Sequence, residues 1–164
     1  MNVVTTEEVG PSAVTIRSAK RADLLDVLQI EKASFPQPWP YEAFRRLLDA
    51  TAFLVAEPDA ANGSGPVIGY LVGDITPVHQ NRIGHIKDIA VHPDARGRGI
   101  GSALLQAGLS RIATEGVERV KLEVRESNEP AVHLYRSHGF EFHRTISEYY
   151  DDGEDALIFV RDLS

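Results

Sequence analysis

One glycine-rich turn has the residue types that hold a phosphate group. It consists of Arg96, Gly97, Arg98, Gly99, Ile100 and Gly101. The turn follows a β-branched stretch and precedes a run with helical spacing, so backbone N–H groups and the helix dipole can bind phosphate oxygens there. Glycines let the backbone approach, and the arginines add charge-assisted hydrogen bonds. The alternative is a turn that only starts a helix.

This turn differs from two well-known nucleotide-binding loops. A Walker loop needs a Lys-Ser or Lys-Thr pair after its glycines, and that pair is absent from the sequence around the turn. A dinucleotide-binding loop needs Gly-x-Gly-x-x-Gly near the first strand, whereas this turn has another spacing and lies late in the chain. The sequence therefore disfavours ATP and NAD as ligands.

Composition excludes several other chemistries. The chain has no cysteine, so acyl transfer cannot run through a thiolate. Its 24 acidic and 17 basic residues give a formal charge of −7, which argues against non-specific binding to nucleic acid. Its histidines show no ligand spacing, so no metal is predicted. Because the protein as a whole is acidic, it can bind an anionic ligand only where positive charge is concentrated. The two arginines of the glycine-rich turn supply such a place.

The elements that position the turn can be read from periodicity. A strand over 14–17 is followed by helical spacing from residue 20 to the proline-rich stretch 35–40, where proline ends the helix. The remaining predicted helices are 41–49, 99–113 and 129–137, and the remaining strands are 51–56, 67–75, 83–91, 120–124, 140–149 and 156–160. Strand, helix and strand around the turn predict a right-handed parallel crossover.

Length and order predict one α/β domain over 13–164 behind a flexible tail, 1–12. The tail lacks the charge-then-apolar order of a targeting signal, and the chain has no uncharged apolar run of about 18 residues. We therefore expect a cytoplasmic protein that does not enter membranes. A monomer, a weak homodimer and an auxiliary subunit all remain open.

The motifs together resemble the GNAT superfamily of N-acetyltransferases. Arg96, Gly99 and Gly101 match its Arg/Gln-x-x-Gly-x-Gly/Ala signature, and the stretches 88–93, 122–128 and 134–140 resemble its RimI-like branch, the protein N-terminal acetyltransferases. The tail 149–156 resembles archaeal and eukaryotic N-terminal acetyltransferase subunits. The resemblance covers the chain from about Val14 to its end, except for the loop 58–65.

The resemblance implies a mixed, mostly antiparallel sheet with splayed parallel central strands, flanked by about four helices. It also implies acetyl-CoA as cosubstrate. The pantetheine arm would pair with the strand edge at Ile89, Ala90 and Val91, as in strand addition, and the pyrophosphate would reach residues 96–101 and Ser102. Asn128 matches a position that contacts pantetheine, and its alternative role is a helix cap ahead of Pro130.

The resemblance also implies catalytic roles. Tyr135 matches the general acid beside the sulfur, and its alternative is a core tyrosine. Glu123 matches the general base of RimI-like enzymes, and its alternative is a solvated strand residue paired with Lys121 or Arg125. His85 matches a second basic position of archaeal enzymes, and its alternative is a surface histidine at a strand end.

By the same resemblance, the acceptor enters between the loop that joins the first two helices and the last hairpin. The corresponding residues are Phe35, Pro36, Trp39, Tyr41, Tyr149 and Tyr150. Aromatic rings and hydroxyls suit a peptide backbone with an apolar first side chain. The alternative is that Phe35 and Trp39 only pack the helix break.

The expected function is acetyl transfer to the N-terminal α-amino group of proteins or peptides, with ribosomal-protein alanine or broader specificity. An α-amine has a pKa near about 8 and lysine near about 10.4, so deprotonation at pH 7 costs roughly 1.4 against roughly 4.6 kcal/mol. The alternatives are a small-molecule amine or lysine acceptor, and a non-catalytic module that binds acetyl-CoA.

Overall fold

A computed structural model describes residues 14–59 and 65–163 of the chain. The predicted tail 1–12 and most of the loop before residue 65 lie outside the described residues. Seven strands form one sheet in the order β1-β2-β3-β4-β5-β7-β6. The strands are β1 (Val14–Ser18), β2 (Ala52–Pro58), β3 (Gly69–Val78), β4 (Asn81–Val91), β5 (Arg119–Arg125), β6 (Glu141–Ile146) and β7 (Ala156–Asp162).

Four α-helices cover the two faces of this sheet within the described residues. They are α1 (Leu24–Ser34), α2 (Tyr41–Arg46), α3 (Ile100–Ala113) and α4 (Glu129–Ser137). Neighbouring strands pair antiparallel except β4 and β5, which pair parallel. The predicted class, a mixed and mostly antiparallel sheet flanked by four helices, is confirmed.

Two apolar clusters hold the helices on the sheet. On one face, α3 packs against β2, β3 and β5 through fully buried Leu104, Leu71 and Leu122. On the other face, α1 and α2 pack through Val27, Phe44 and Tyr70. Buried positions alternate along β5, because a strand sends successive side chains to opposite faces, whereas β2 and the first half of β3 are buried continuously because helices cover both faces of the sheet there.

Two predicted elements end earlier in the structure than in the sequence prediction. The second helix ends at Arg46 because the N–H of Leu47 bonds the carbonyl of Phe44, which tightens the last turn. Strand β6 ends at Ile146 because Glu148 adopts a positive φ of 51° and its N–H bonds the carboxylate of Asp155. Periodicity alone does not register such turn-specific bonds.

Leu104 offers a test of the core. Replacement of this fully buried side chain by alanine leaves a cavity between α3 and the sheet, so Leu104→Ala should lower the free energy of unfolding by about 2–5 kcal/mol in urea titration. Leu25→Ala is the matched control, since Leu25 is 66% exposed and its loss should cost less than about 0.5 kcal/mol. Equal losses for the two variants would contradict the packing described.

Candidate active site

A cleft opens in the sheet where β4 and β5 part. Their parallel pairing is confined to Gly84, His85 and Ile86 against residues 120–122, although β4 continues to Val91. Beyond Ile86, β4 keeps its bonds to β3 on one side only. The backbone groups of Ile89 and the N–H of Val91 on the other side therefore face the cleft, where an extended ligand can pair with them, while the Val91 carbonyl accepts a hydrogen bond from Arg96 Nε.

One cavity of about 410 Å³ lies on the α3 side of the cleft. It brings together most residues predicted to hold the cofactor: Ile89, Ala90, Val91, Arg96, Gly97, Gly99, Ile100, Gly101, Ser102, Asn128 and Tyr135. Arg98 differs, because its side chain lines a neighbouring cavity and donates to the carbonyl of Asp94. The two arginines of the turn therefore point to different cavities.

The shape of the turn depends on two glycines. Gly97 and Gly99 each have a φ of 80°, a left-handed conformation that favours glycine. A Cβ on Gly97 would meet nothing within 4 Å, so the backbone angle is what restricts this position. Gly99 is the N-cap of α3 and makes no side-chain cap, which leaves the first N–H groups of the helix available to an anion.

A second cavity, of about 360 Å³, lies on the α1 side. Phe35, Trp39, Tyr149 and Tyr150, four of the six predicted acceptor residues, line it. Pro36 is exposed, and Tyr41 packs against the α1–α2 cluster. Trp39 also packs on Phe44, with ring centroids 5.4 Å apart, so its ring both lines the cavity and packs the break between the two helices.

The two cavities adjoin each other. They share the wall residues Phe35, Ile89, Asn128, Ala131 and Tyr135. A group held in one cavity can therefore meet a group held in the other beside the Tyr135 hydroxyl and the β4 edge. A two-substrate transfer requires such a junction, because the reacting atoms must come within contact distance.

Helix α4 carries Asn128 and Tyr135 to this junction. The side chain of Asn128 accepts a hydrogen bond of 3.3 Å from Ala131 N, so Asn128 caps the helix and also lines the cavities. Tyr135 is buried, and its ring packs edge-on against Phe140. Burial, and then the nearby Asp88, raise the pKa of Tyr135, so the hydroxyl keeps its proton at neutral pH.

His85 and Glu123 form a pair across β4 and β5. His85 Nε2 lies 2.6 Å from Glu123 Oε1, and Lys121 Nζ lies 3.3 Å from the other carboxylate oxygen. Burial alone would raise the pKa of Glu123, but the His85 hydrogen bond and the Lys121 charge outweigh it and lower the pKa. Glu123 is therefore ionised and accepts the Nε2–H, which leaves Nδ1 with the lone pair whenever the ring is neutral.

Arg125 ties together two walls of the second cavity, which we call the acceptor cavity after the predicted acceptor residues that line it. Its guanidinium donates to Asp152 at 2.8 Å and Glu154 at 2.9 Å on the β6–β7 hairpin, and to Gln37 of the α1–α2 loop at 3.2 Å. It also lies 4.1 Å from the centre of the Tyr150 ring. The Arg125 side chain is only 11% exposed, whereas its partners Asp152 and Glu154 keep 40% and 25% of their side-chain surface exposed.

Known proteins place this arrangement in a family. Residues 24–140, more than half of the chain, match the profile of the Acetyltransferase (GNAT) family. The chain belongs to the GNAT acetyltransferase family. Its enzymatic class is therefore acyltransferase.

Relatives in this family include N-terminal acetyltransferases. The chain is 36% identical to an N-alpha-acetyltransferase of Sulfurisphaera tokodaii over 90% of this chain and 92% of the relative. The crystal structure of Ard1 from Thermoplasma volcanium superposes with a TM-score of 0.83 at 28% identity, covering 93% of this chain and 99% of that one. The crystal structure of the ribosomal-protein-S18-alanine N-acetyltransferase from Escherichia coli superposes with a TM-score of 0.74 at 30% identity, covering 93% of this chain and 95% of that one.

The sequence did not point to three residues at or beneath the acceptor cavity. Glu31 and Asp88 line the acceptor cavity, and Tyr70 lies between their carboxyl groups. The sequence contained a signal for Glu31, because it falls on the buried face of α1 together with Leu24 and Val27. A charged side chain is unusual on a buried helix face. The sequence contained no signal for Tyr70, because a tyrosine in an apolar strand is explained equally well as a core residue. Its place between the two carboxyl groups is visible only in the tertiary structure.

Residues 14–59 and 65–163 contain no group of three His, Asp or Glu side chains arranged to hold a metal ion. Over the same ranges, no helix combines the length and the apolar character that crossing a bilayer requires.

The Arg125 network makes a prediction about local stability. Arg125→Ala removes charge-assisted bonds worth roughly 1.5–3 kcal/mol, so amide hydrogen exchange over residues 149–155 should speed up roughly tenfold or more. Arg144→Ala, an exposed arginine on β6, is the control and should leave this segment unchanged. Unchanged exchange in Arg125→Ala would show that the hairpin is held by other contacts.

Proposed function

We propose that this GNAT enzyme transfers the acetyl group of acetyl-CoA to the N-terminal α-amino group of proteins or peptides. The observation that carries the proposal is the bridge between the two walls of the acceptor cavity. Arg125 joins the α1–α2 loop to the β6–β7 hairpin, and Glu154 also accepts the N–H of Ser127 at 2.8 Å.

A bridged cavity favours a chain terminus over an internal lysine. A lysine in the middle of a chain needs an open trough, because the chain must leave in both directions. Walls joined through Arg125 instead favour a chain that enters with its end first. The aromatic rings of Trp39, Tyr149 and Tyr150 suit the first residue of such a chain.

The donor side of the cleft suits acetyl-CoA. The edge of β4 offers backbone groups to the amides of pantetheine, and the start of α3 offers N–H groups and a dipole to the pyrophosphate. Arg96 lies beside this path, because it donates to the carbonyl of Val91 at 2.9 Å and to Ser34 at 3.0 Å.

The site residues fit a direct transfer without an acyl-enzyme. The amine nitrogen attacks the thioester carbonyl, the carbon–sulfur bond breaks, and the Tyr135 hydroxyl supplies a proton to the departing thiolate. We assign the pair His85 and Glu123 as a base acting at the acceptor side, directly or through water, with Glu123 orienting the ring. An α-amine suits such a base, since its deprotonation at pH 7 costs only roughly 1.4 kcal/mol.

The acceptor class can be tested with peptides that differ in their first two residues, each made with a free and a blocked N-terminus and an internal lysine. Incubation with acetyl-CoA and mass spectrometry should locate the acetyl group on free N-termini only. Acetyl groups on lysines of blocked peptides would move the assignment to side-chain acetylation. Transfer that survives removal of all residues after the first would favour a small-molecule acceptor.

The donor site can be tested with the two arginines of the turn. Arg96→Ala should raise the Kd of acetyl-CoA roughly tenfold or more by calorimetry, because a charge-assisted bond is worth roughly 1.5–3 kcal/mol. Arg98→Ala should change it less than about threefold, because that side chain lines the neighbouring cavity. Equal losses for the two variants would contradict the separation of the two arginines.

A further inference from the structure

A chain of hydrogen bonds runs beneath the acceptor cavity from β4 to the α1–α2 loop. The Tyr70 hydroxyl on β3 contacts a carboxylate oxygen of Glu31 on α1 and lies 3.2 Å from Oδ2 of Asp88 on β4. The other carboxylate oxygen of Glu31 accepts the N–H of Trp39 at 2.8 Å. Glu31 is only 2% exposed and Tyr70 is fully buried, so little water can replace these bonds.

The number of hydrogens in this chain sets its direction. A tyrosine hydroxyl has one hydrogen, so Tyr70 can donate to only one of the two acids. Glu31 is the closer acid and also accepts the Trp39 N–H, which suits an ionised carboxylate, so Tyr70 donates to Glu31. The Tyr70 oxygen then turns a lone pair toward Asp88. Only a protonated Asp88 can donate a hydrogen bond to that lone pair.

Electrostatics favours the same distribution of protons. Burial raises the pKa of Asp88 well above its ordinary value, and the neighbouring Glu31 raises it further. A second carboxylate would place two like charges around one phenol in a site with little water. Besides Glu31 on α1 and Tyr70 on β3, the titratable groups near Asp88 are Tyr135 on α4, Glu123 on β5 and its neighbour Lys87, which is exposed at the cavity wall. Glu31 therefore carries the charge of the chain, and Asp88 is neutral.

The chain ends on a wall of the acceptor cavity. Trp39 lies in the loop between α1 and α2, and its ring lines the cavity. Positions 36, 38 and 40 of this loop are prolines, which have no N–H, so only Gln37 and Trp39 offer backbone donors between residues 36 and 40. The Glu31 carboxylate accepts one of these two donors. Its hydrogen bond therefore ties the loop to the buried part of α1.

We propose that Asp88 is a positioning residue: it keeps its proton through the reaction and, through Tyr70 and Glu31, holds the wall against which the acceptor binds. The inference rests on the proposed function, because it concerns the binding of the acceptor. No proton passes to or from Asp88 during turnover, so the base and the general acid assigned above keep their roles. The acceptor binds well only while Asp88 is neutral.

Acceptor binding then depends on pH. Because the pKa of Asp88 is raised, the chain is complete below that pKa and is disrupted as pH rises through it. An ionised Asp88 competes with Glu31 for the single hydrogen of Tyr70, and the repulsion is relieved when Glu31 moves away and releases the Trp39 N–H. Above the pKa the neutral fraction falls about tenfold per pH unit, so the KM of the peptide should rise while kcat changes little.

The test compares wild type and Asp88→Asn from about pH 6 to about pH 10 with a peptide that has a free N-terminus. Asparagine has nearly the same shape and donates to Tyr70 through its amide, but it cannot ionise. The acceptor amine titrates alike in both assays, so the ratio of the two KM values isolates Asp88. Wild-type KM should rise roughly tenfold or more relative to Asp88→Asn toward alkaline pH, with kcat within about threefold. A constant KM ratio overturns the inference.

Two further variants show whether the effect belongs to this chain. Asp162→Asn makes the same substitution at an exposed position paired with Arg119, and its KM should follow the wild type at every pH. Tyr70→Phe keeps the ring but breaks the chain, so its KM should be raised roughly tenfold already at about pH 6. An unchanged Kd of acetyl-CoA shows that Tyr70→Phe is folded. A wild-type KM in Tyr70→Phe overturns the inference.

Fluorescence gives an outcome that does not depend on the acceptor. Trp39 is the only tryptophan of the chain, so its quenching by acrylamide reports on the loop itself. Quenching should increase in the wild type over the alkaline range, stay constant in Asp88→Asn, and be stronger in Tyr70→Phe already at about pH 6. Equal quenching of wild type and Asp88→Asn at every pH overturns the inference.

Infrared difference spectra detect the proton directly. The wild type should show the carbonyl band of a protonated carboxyl group at neutral pH, and Asp88→Asn should lack it. Absence of the band from the wild type overturns the inference. Wild-type inactivity on every peptide overturns the proposed function instead, and the fluorescence and infrared spectra then still decide whether the chain of hydrogen bonds holds the loop.

Discussion

The active site depends on the early end of the hydrogen bonding between β4 and β5. Three positions on β4 pair with β5, and the strand then runs on for several residues with one edge unpaired. An unpaired strand edge inside a protein is unfavourable unless something bonds to it. Here the open edge forms the wall of a cleft, so the backbone groups that the fold leaves free are the groups that an extended cosubstrate can use.

The same strand contains a bulge that orients the acidic groups. Between Val72 and Gly73 on β3 the register shifts, so Lys87 stands on β4 without a partner of its own. Without the extra residue, His85 and Asp88 would point to opposite faces of the sheet, because side chains alternate along a strand. With it, Glu123, the partner of His85, and Asp88 both line the acceptor cavity.

Electrostatics divides the acidic groups of the cavity into two kinds. Glu123 has His85 and Lys121 beside it, which together lower its pKa, and it stays a charged acceptor of hydrogen bonds. Asp88 has little water around it and a second carboxyl group beside it, which raise its pKa and favour its protonated form. Chemically similar side chains thus acquire different charge states from their neighbours.

The sequence by itself determined the class of fold and the shape of the glycine-rich turn at residues 96–101. Periodicity located the strands and helices, and the glycines at 97 and 99 matched the left-handed backbone that the turn adopts, because these features arise from steric effects between chain neighbours. The motif of α4 likewise placed Asn128 and Tyr135 on one face.

Only the tertiary structure decided that Arg98 points away from the cavity on the α3 side and that Arg125 joins two loops. It also decided that Glu31, Tyr70 and Asp88 meet. These contacts join residues far apart in the chain, and their charge states follow from burial, which is set when α1 packs on the sheet.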